Sequence, residues 1–245
     1  MKKIVLVLSL LTFTIPFSSC DKADEIIAAI DEGGLSNDDI VKGLKTALEV
    51  GTDTAVKRLS ATDGYFKDEV VKILLPPEAA PIFDNLNKIP GGSTLVNNTI
   101  LAINRAAEDA APEATSIFVD AITNITINDG LNILNGNDSA ATTFLKTGTY
   151  TPLQNAFAPK INTSLGKPLV LGASAASLYK DLVDTYNTAS LNGFLFPKIT
   201  QNTLGDYVTA KALDGMFTKV AVEEGKIRND VSHRVSDILE KVFGK

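Results

Sequence analysis

The chain has 245 residues, 23 Lys plus Arg against 29 Asp plus Glu, a formal net charge of −6, one Cys and one His. That length is ample for a buried core in one or two domains. The acidic balance disfavours nucleic acid as a partner, a lone Cys excludes an intrachain disulfide, and one His with one Cys leaves too few ligands for zinc.

Met1-Lys2-Lys3, an apolar run from Ile4 to Ile15, and Pro16-Phe17-Ser18-Ser19-Cys20 have the parts of a secretory signal peptide. The apolar run is shorter than the roughly 20 residues that a bilayer span needs, and Pro16 stops a helix from continuing. An uncleaved anchor and an ordinary cleaved signal are the competing readings. The break falls at the only cysteine, which resembles a bacterial lipoprotein signal. In such a signal the thiol of Cys20 is acylated and the cysteine becomes the new N-terminus. The expected division is 1–19 signal peptide, 20–34 acylated cysteine and tether, and 35–245 helical domain. Acyl chains such as palmitate would place the protein on a membrane of the bacterial cell envelope, on the periplasmic side or at the cell surface. Cleavage removes Lys2 and Lys3 but no acid, so the mature chain is two charges more negative.

After the tether the apolar spacing is helical almost throughout, and it predicts an all-α, single multi-helix bundle of about eight to ten helices. Ser36 and Asp39 read as a capping box opening a helix that Thr62-Asp63-Gly64 closes. Residues 66–75 read as a short helix running into an extended arm before Pro76-Pro77, and 78–88 as a second helix. Val96, Ile100, Ile103, Ala107, Ala110, Ala114, Ile117, Ala121 and Ile125 form the strongest stripe, with Pro112 inside it. That proline predicts a kink, or two helices meeting end to end. Further helices are expected at 127–134, 139–147, 151–165, 174–188, 204–228 and 233–243. In the last, Val235, Ile238, Leu239 and Val242 are expected on one face. Leu169-Val170-Leu171 is too short to carry a sheet.

Two longer motifs carry a resemblance. One is Asn104-Arg105-Ala106-Ala107-Glu108-Asp109-Ala110-Ala111-Pro112-Glu113-Ala114, continuing to Phe118-Val119-Asp120-Ala121-Ile122. The other is Asp206-Tyr207-Val208-Thr209-Ala210-Lys211-Ala212-Leu213-Asp214-Gly215-Met216-Phe217, followed by Glu223-Glu224-Gly225-Lys226-Ile227-Arg228. Together they resemble a bacterial envelope family known as domain of unknown function 4197. The resemblance implies an exported, helix-rich domain, often behind a lipoprotein signal. It implies no activity, so no catalytic residue carries over.

The residues themselves offer little chemistry. Gly172-Ala173-Ser174-Ala175-Ala176 lacks the last glycine of a nucleophile elbow and no strand precedes it, so Ser174 reads as a helix cap. His233 reads as an exposed or capping residue. Oxygen-rich turns at 126–130 and 135–138 do not match a calcium loop. No cofactor is expected. The charged motif residues Arg105, Glu108, Asp109, Glu113, Asp120, Asp206, Lys211 and Asp214 are the candidates for a ligand cleft; ion pairs between helices are the competing reading. Arg105 and Asp109, four apart, are spaced to pair on one helix. The expectation is a membrane-anchored, non-catalytic ligand-binding or protein-interaction module with an apolar ligand or protein partner. The alternative is a metal-independent enzyme using carboxylates and Arg105.

Overall fold

A computed structural model describes residues 36–200 and 204–244. Cys20, the signal peptide and the tether lie outside the described residues. The fold is all-α. Its helices are α1 (Asn37–Ser60), α2 (Ala80–Asp84), α3 (Gly92–Ala110), α4 (Ala114–Thr123), α5 (Ile127–Leu134), α6 (Ala140–Leu165), α7 (Ala175–Ala189), α8 (Leu204–Asn229) and α9 (Asp237–Phe243). The two longest, α6 and α8, pack along each other at the centre. Helix α1 lies on α8 and also meets α4, α5 and α9, while α3 packs on α6 and α7.

The alanine stripe explains how closely α3 approaches its neighbours. Ala102, Ala106, Ala107, Ala110, Ala111 and Ala114 are all fully buried. Small side chains bring helix backbones together and lose no rotamer entropy on burial. At Pro112 the chain makes one 3-10 turn, Ala111–Glu113, and the stripe splits into α3 and α4 as the proline requires. The turn also shifts the buried face. After it, Ala114, Phe118, Ile122 and Ile125 are buried, whereas Ile117 and Ala121 are only half-buried.

Four expectations are corrected. The stretch 78–88 is not one helix but a 3-10 turn, the short α2 and a second 3-10 turn. Pro81 lacks an amide, and the Asn85 Nδ2 donates to the Pro81 carbonyl at 3.0 Å, ending the helix. Residues 61–71 form turns rather than a short helix, and the extended arm follows. The expected break at 147–151 does not occur: α6 runs unbroken through Pro152 and Pro159. Its buried stripe of Ala141, Leu145, Thr149, Leu153, Phe157 and Ile161 steps by fours across both prolines. The carbonyls deprived of donors belong to Gly148 and Asn155, which are exposed and so open to solvent. Finally, the last helix begins at Asp237 instead of 233, and Val235 is exposed. The Arg234 guanidinium donates to the carbonyls of Ile227 and Arg228, at 3.2 and 2.8 Å. This finishes α8 and turns the chain before α9 can start.

The start of α6 is capped from a distance. Glu224 on α8, nearly buried, accepts the amides of Ala141 (2.9 Å) and Thr142 (2.8 Å) and the Thr142 hydroxyl (2.7 Å). Arg228 Nε donates to the same carboxylate at 2.9 Å. A carboxylate at a helix N-terminus answers both the free amides and the dipole. This contact locks the two central helices in register.

Beside that contact, Leu44, Leu48, Gly51, Val220, Ile227 and Phe243 line a small cavity of about 20 Å³. A Cβ on Gly51 would meet nothing closer than Glu223 Cβ at 3.7 Å, whereas one on Gly215 would lie 2.9 Å from Tyr65 Cε1 and 3.2 Å from Val71 Cβ. Gly51→Ala is therefore predicted to raise stability by about 0.5–1 kcal/mol through helix propensity. Gly215→Ala should lower it by about 1–3 kcal/mol through overpacking. Urea denaturation of the two variants checks both signs.

Candidate functional site

The motif on α3 faces the irregular segment between α1 and the arm. Asn104 is fully buried, and its side chain replaces a neighbouring strand for that arm. Oδ1 accepts the Ile73 amide at 2.9 Å, and Nδ2 donates to the Ile73 carbonyl at 2.8 Å and to the Ile100 carbonyl at 2.7 Å. One turn later Glu108, 5% exposed, accepts the amides of Tyr65 (3.2 Å) and Phe66 (3.3 Å) on Oε1. Its Oε2 accepts from Arg105 at 2.6 Å, and the other arm of that guanidinium reaches Asp63 at 2.5 Å. Asp63 has a left-handed backbone, φ 70°, and next to it a Cβ on Gly64 would lie 2.3 Å from the Arg58 carbonyl. Only glycine fits that position. The Lys67 and Arg105 hydrogen bonds hold the Asp63 carboxyl below its ordinary range.

Below this cluster, the hydroxyl of fully buried Tyr65 donates to the Ala212 carbonyl on α8 at 2.8 Å. Burial, with the Glu108 charge added, pushes its phenol far above the ordinary value. Lys219, also on α8 and 6% exposed, forms an ion pair with Asp68. Burial alone would raise Asp68, but the Lys219 hydrogen bond, the Val70 amide and the nearby Arg58 bring it below its ordinary range.

The other motif residues go elsewhere. Asp109 does not pair with Arg105; it receives hydrogen bonds from Ser164 and Lys167 at the end of α6. Those partners outweigh its desolvation and lower its pKa. Glu113 pairs with Lys160 of α6 at 3.0 Å. Asp120 and Asp206 are on exposed positions of α4 and α8. Lys211 and Asp214 lie on α8, half exposed; Asp214 is 3.9 Å from Lys211 and 3.8 Å from Lys146. The structure thus brings Arg105 and Glu108 together with Asp63. It places Asp109 and Glu113 along the α6 contact, and Lys211 and Asp214 at a separate groove.

That groove holds about 350 Å³ between Val70–Leu74 of the arm and Tyr207, Lys211, Asp214 and Thr218 of α8. Val70 and Leu74 are 74% and 53% exposed on its lip. Tyr207 reaches across to the Leu75 carbonyl at 3.3 Å. Sequence reasoning missed Asn104 as an anchor, along with Asp63, Asp68 and Lys219. A buried Asn has no periodic signature, and Asp68 and Lys219 are 151 positions apart.

Ser174 caps α7 in a capping box with Ser177, as expected. His233 sits in a 3-10 turn, bonded to Asp230 at 2.9 Å. Thr126 and Asp129 form a capping box for α5. Among the described residues no three His, Cys, Asp or Glu side chains gather as metal ligands, and no helix is long and apolar enough to cross a membrane.

Residues 34–244 match the model of the family described as protein of unknown function (DUF4197), and the chain belongs to that family. No curated protein and no solved structure matches it.

The lowered carboxyls of Asp63, Asp68 and Asp109 set a pH dependence. Their folded pKa values lie below the unfolded ones. Their stabilisation is therefore complete above about pH 5 and is lost as the pH falls through the unfolded and then the folded pKa. Denaturant midpoints should be flat from about pH 7 to 5 and drop below about pH 4. Asp68→Asn, which strands buried Lys219, should cost about 3–5 kcal/mol at neutral pH and flatten the acid limb.

Proposed function

We propose that this chain is a bacterial envelope lipoprotein, held on a membrane by acyl chains on Cys20, whose helical domain is a non-catalytic protein-interaction module. One observation carries the non-catalytic part. The charged motif residues Arg105, Glu108, Asp109 and Glu113 are engaged with backbone amides and ion partners inside the domain. The residues that looked most like acid–base machinery are thus bound up in holding irregular backbone and helix contacts.

The groove beside the arm is the interaction surface in this reading, and its occupant is an extended stretch of a partner protein. Ile73 gives both its backbone groups to Asn104. Backbone direction alternates along extended chain, so the amide and carbonyl of Leu74 turn away from Asn104. An added strand would take those groups, and exposed Val70 and Leu74 would meet its apolar side chains.

Two experiments test the two halves. Globomycin should cause a precursor to accumulate, and Cys20→Ala should move the protein from the membrane to the soluble fraction. Membrane association unchanged by Cys20→Ala contradicts the anchor. For the groove, a photo-crosslinking residue at Val70 of the anchored protein should give a discrete protein adduct in cells. Leu74→Pro, which removes an amide donor, should abolish that adduct. An adduct that survives Leu74→Pro, or that contains only lipid, contradicts the strand-addition reading.

A further inference from the structure

The turn that follows α7 has backbone and side chains at odds with a solvent-facing loop. Leu191, Asn192 and Gly193 are three successive left-handed residues, with φ of 51°, 55° and 103°. Asparagine and glycine enter that region readily, but leucine adopts it only when the surroundings enforce it. Here the enforcement is visible. The amides of Leu191 and Asn192 bond to Thr188 and Asn187 carbonyls at 3.0 and 2.7 Å, and the Leu195 amide to the Ser190 carbonyl at 3.0 Å. Ser190, fully buried, donates its hydroxyl to the Asn187 carbonyl and accepts the Gly193 amide.

The base of the turn is equally braced. Asn187 clamps Ile199 as Asn104 clamps Ile73, with both bonds at 2.9 Å. Phe196 packs on Tyr186 with ring centroids 5.1 Å apart, and the Tyr186 hydroxyl donates to the Pro197 carbonyl. This rigid mount holds Leu191, Phe194 and Leu195 out in solvent, at 61%, 83% and 59% exposure. A slack loop would fold such side chains back onto the domain.

Local charge separates this tip from the rest of the chain. The sequence carries no acid from Thr185 to Gly205, a stretch of 21 residues whose one charged side chain is Lys198. Lys88 adds a second cation, 5.2 Å from the Phe196 ring. The nearby acids lie toward its base: Asp184, the preceding one in sequence, is paired with Lys180, and Asp84 acts on Tyr186 beneath Phe196. A protruding apolar tip flanked by lysines matches the headgroup–acyl boundary of a bilayer, where apolar side chains enter the hydrocarbon and cations meet phosphates.

We propose that Leu191, Phe194 and Leu195 insert into the phospholipid surface as a second membrane contact. The inference deepens the anchored reading and rests on it for its setting: acyl chains would hold the protein near the bilayer, and the tip would fix which face of the domain points down.

The chain contains no tryptophan, so Phe194→Trp installs a single emission probe at the tip. The full protein, purified from membranes, is reconstituted with vesicles of phosphatidylethanolamine and phosphatidylglycerol. Trp emission should shift to the blue and be quenched by brominated acyl chains. Val70→Trp, at a position also largely exposed but distant in sequence from the tip, should keep its aqueous emission and resist quenching. Flotation of the vesicles reports the anchor separately. If the chain floats and the Phe194→Trp emission stays aqueous, the tip proposal is overturned while the anchor stands. If it does not float, the anchor fails, and titration with excess vesicles still decides the tip by the same emission. A blue shift that appears without vesicles and grows with protein concentration assigns the tip to a second copy and overturns the proposal.

Discussion

The arrangement depends on one constraint: the backbone between α1 and α2 has no helix or sheet of its own to satisfy it. Residues 61–76 are turns and extended chain, yet Tyr65, Val71, Ile73 and Leu75 within it are buried. A buried amide or carbonyl without a partner costs about 1–3 kcal/mol. Asn104 and Glu108 remove that penalty at Ile73, Tyr65 and Phe66. They stand four apart on α3, so they share one face. Arg105 between them neutralises the Glu108 charge and secures Asp63 at the entrance to the segment.

The same logic recurs elsewhere. Asn187 performs for Ile199 what Asn104 performs for Ile73, and Glu224 performs for the first turn of α6 what Glu108 performs for Tyr65. In each case a side chain from a rigid helix completes the hydrogen bonding of a backbone that cannot complete its own. These anchors hold the arm against α8, by way of Tyr65 and Lys219, and so create the groove along Val70–Leu74. The signature residues of α3 therefore shape this groove by fixing backbone, while its walls come from the aliphatic arm and from Tyr207, Lys211 and Asp214 of the second motif.

Much of this fold was legible in the sequence because helical periodicity is local. The stripe through Ile100 and Ala110, the interruption at Pro112 and the caps at Ser174 and Thr126 each depend on residues within a few turns. The break expected between 147 and 151 is absent because the buried stripe from Ala141 to Ile161 continues across it. Tertiary burial on α8 decided it. The site was less legible. Arg105 and Glu108 stood out as charged motif residues, but their partners Asp63 and Tyr65 lie more than 40 positions away. The spacing that suggested an Arg105–Asp109 pair described only one helix, and Lys167 and Asp63 competed from outside it. The tip at Leu191–Leu195 carried a local sign, Asn192-Gly193. Whether its apolar side chains fold inward or stand outward depends on Ser190 and Asn187.

Hydrogen exchange at the amides of Tyr65, Phe66 and Ile73 tests the central claim most directly, in the native chain and in Asn104→Ala. The account predicts that all three exchange as slowly as neighbouring helix amides in the native protein. In Asn104→Ala the Ile73 amide should accelerate by about tenfold or more, the equivalent of losing roughly 1.4 kcal/mol of local protection, while the Leu153 and Met216 amides in α6 and α8 keep their rates. Fast exchange at Ile73 in the native chain would contradict the account, as would an Ile73 rate that Asn104→Ala leaves unchanged.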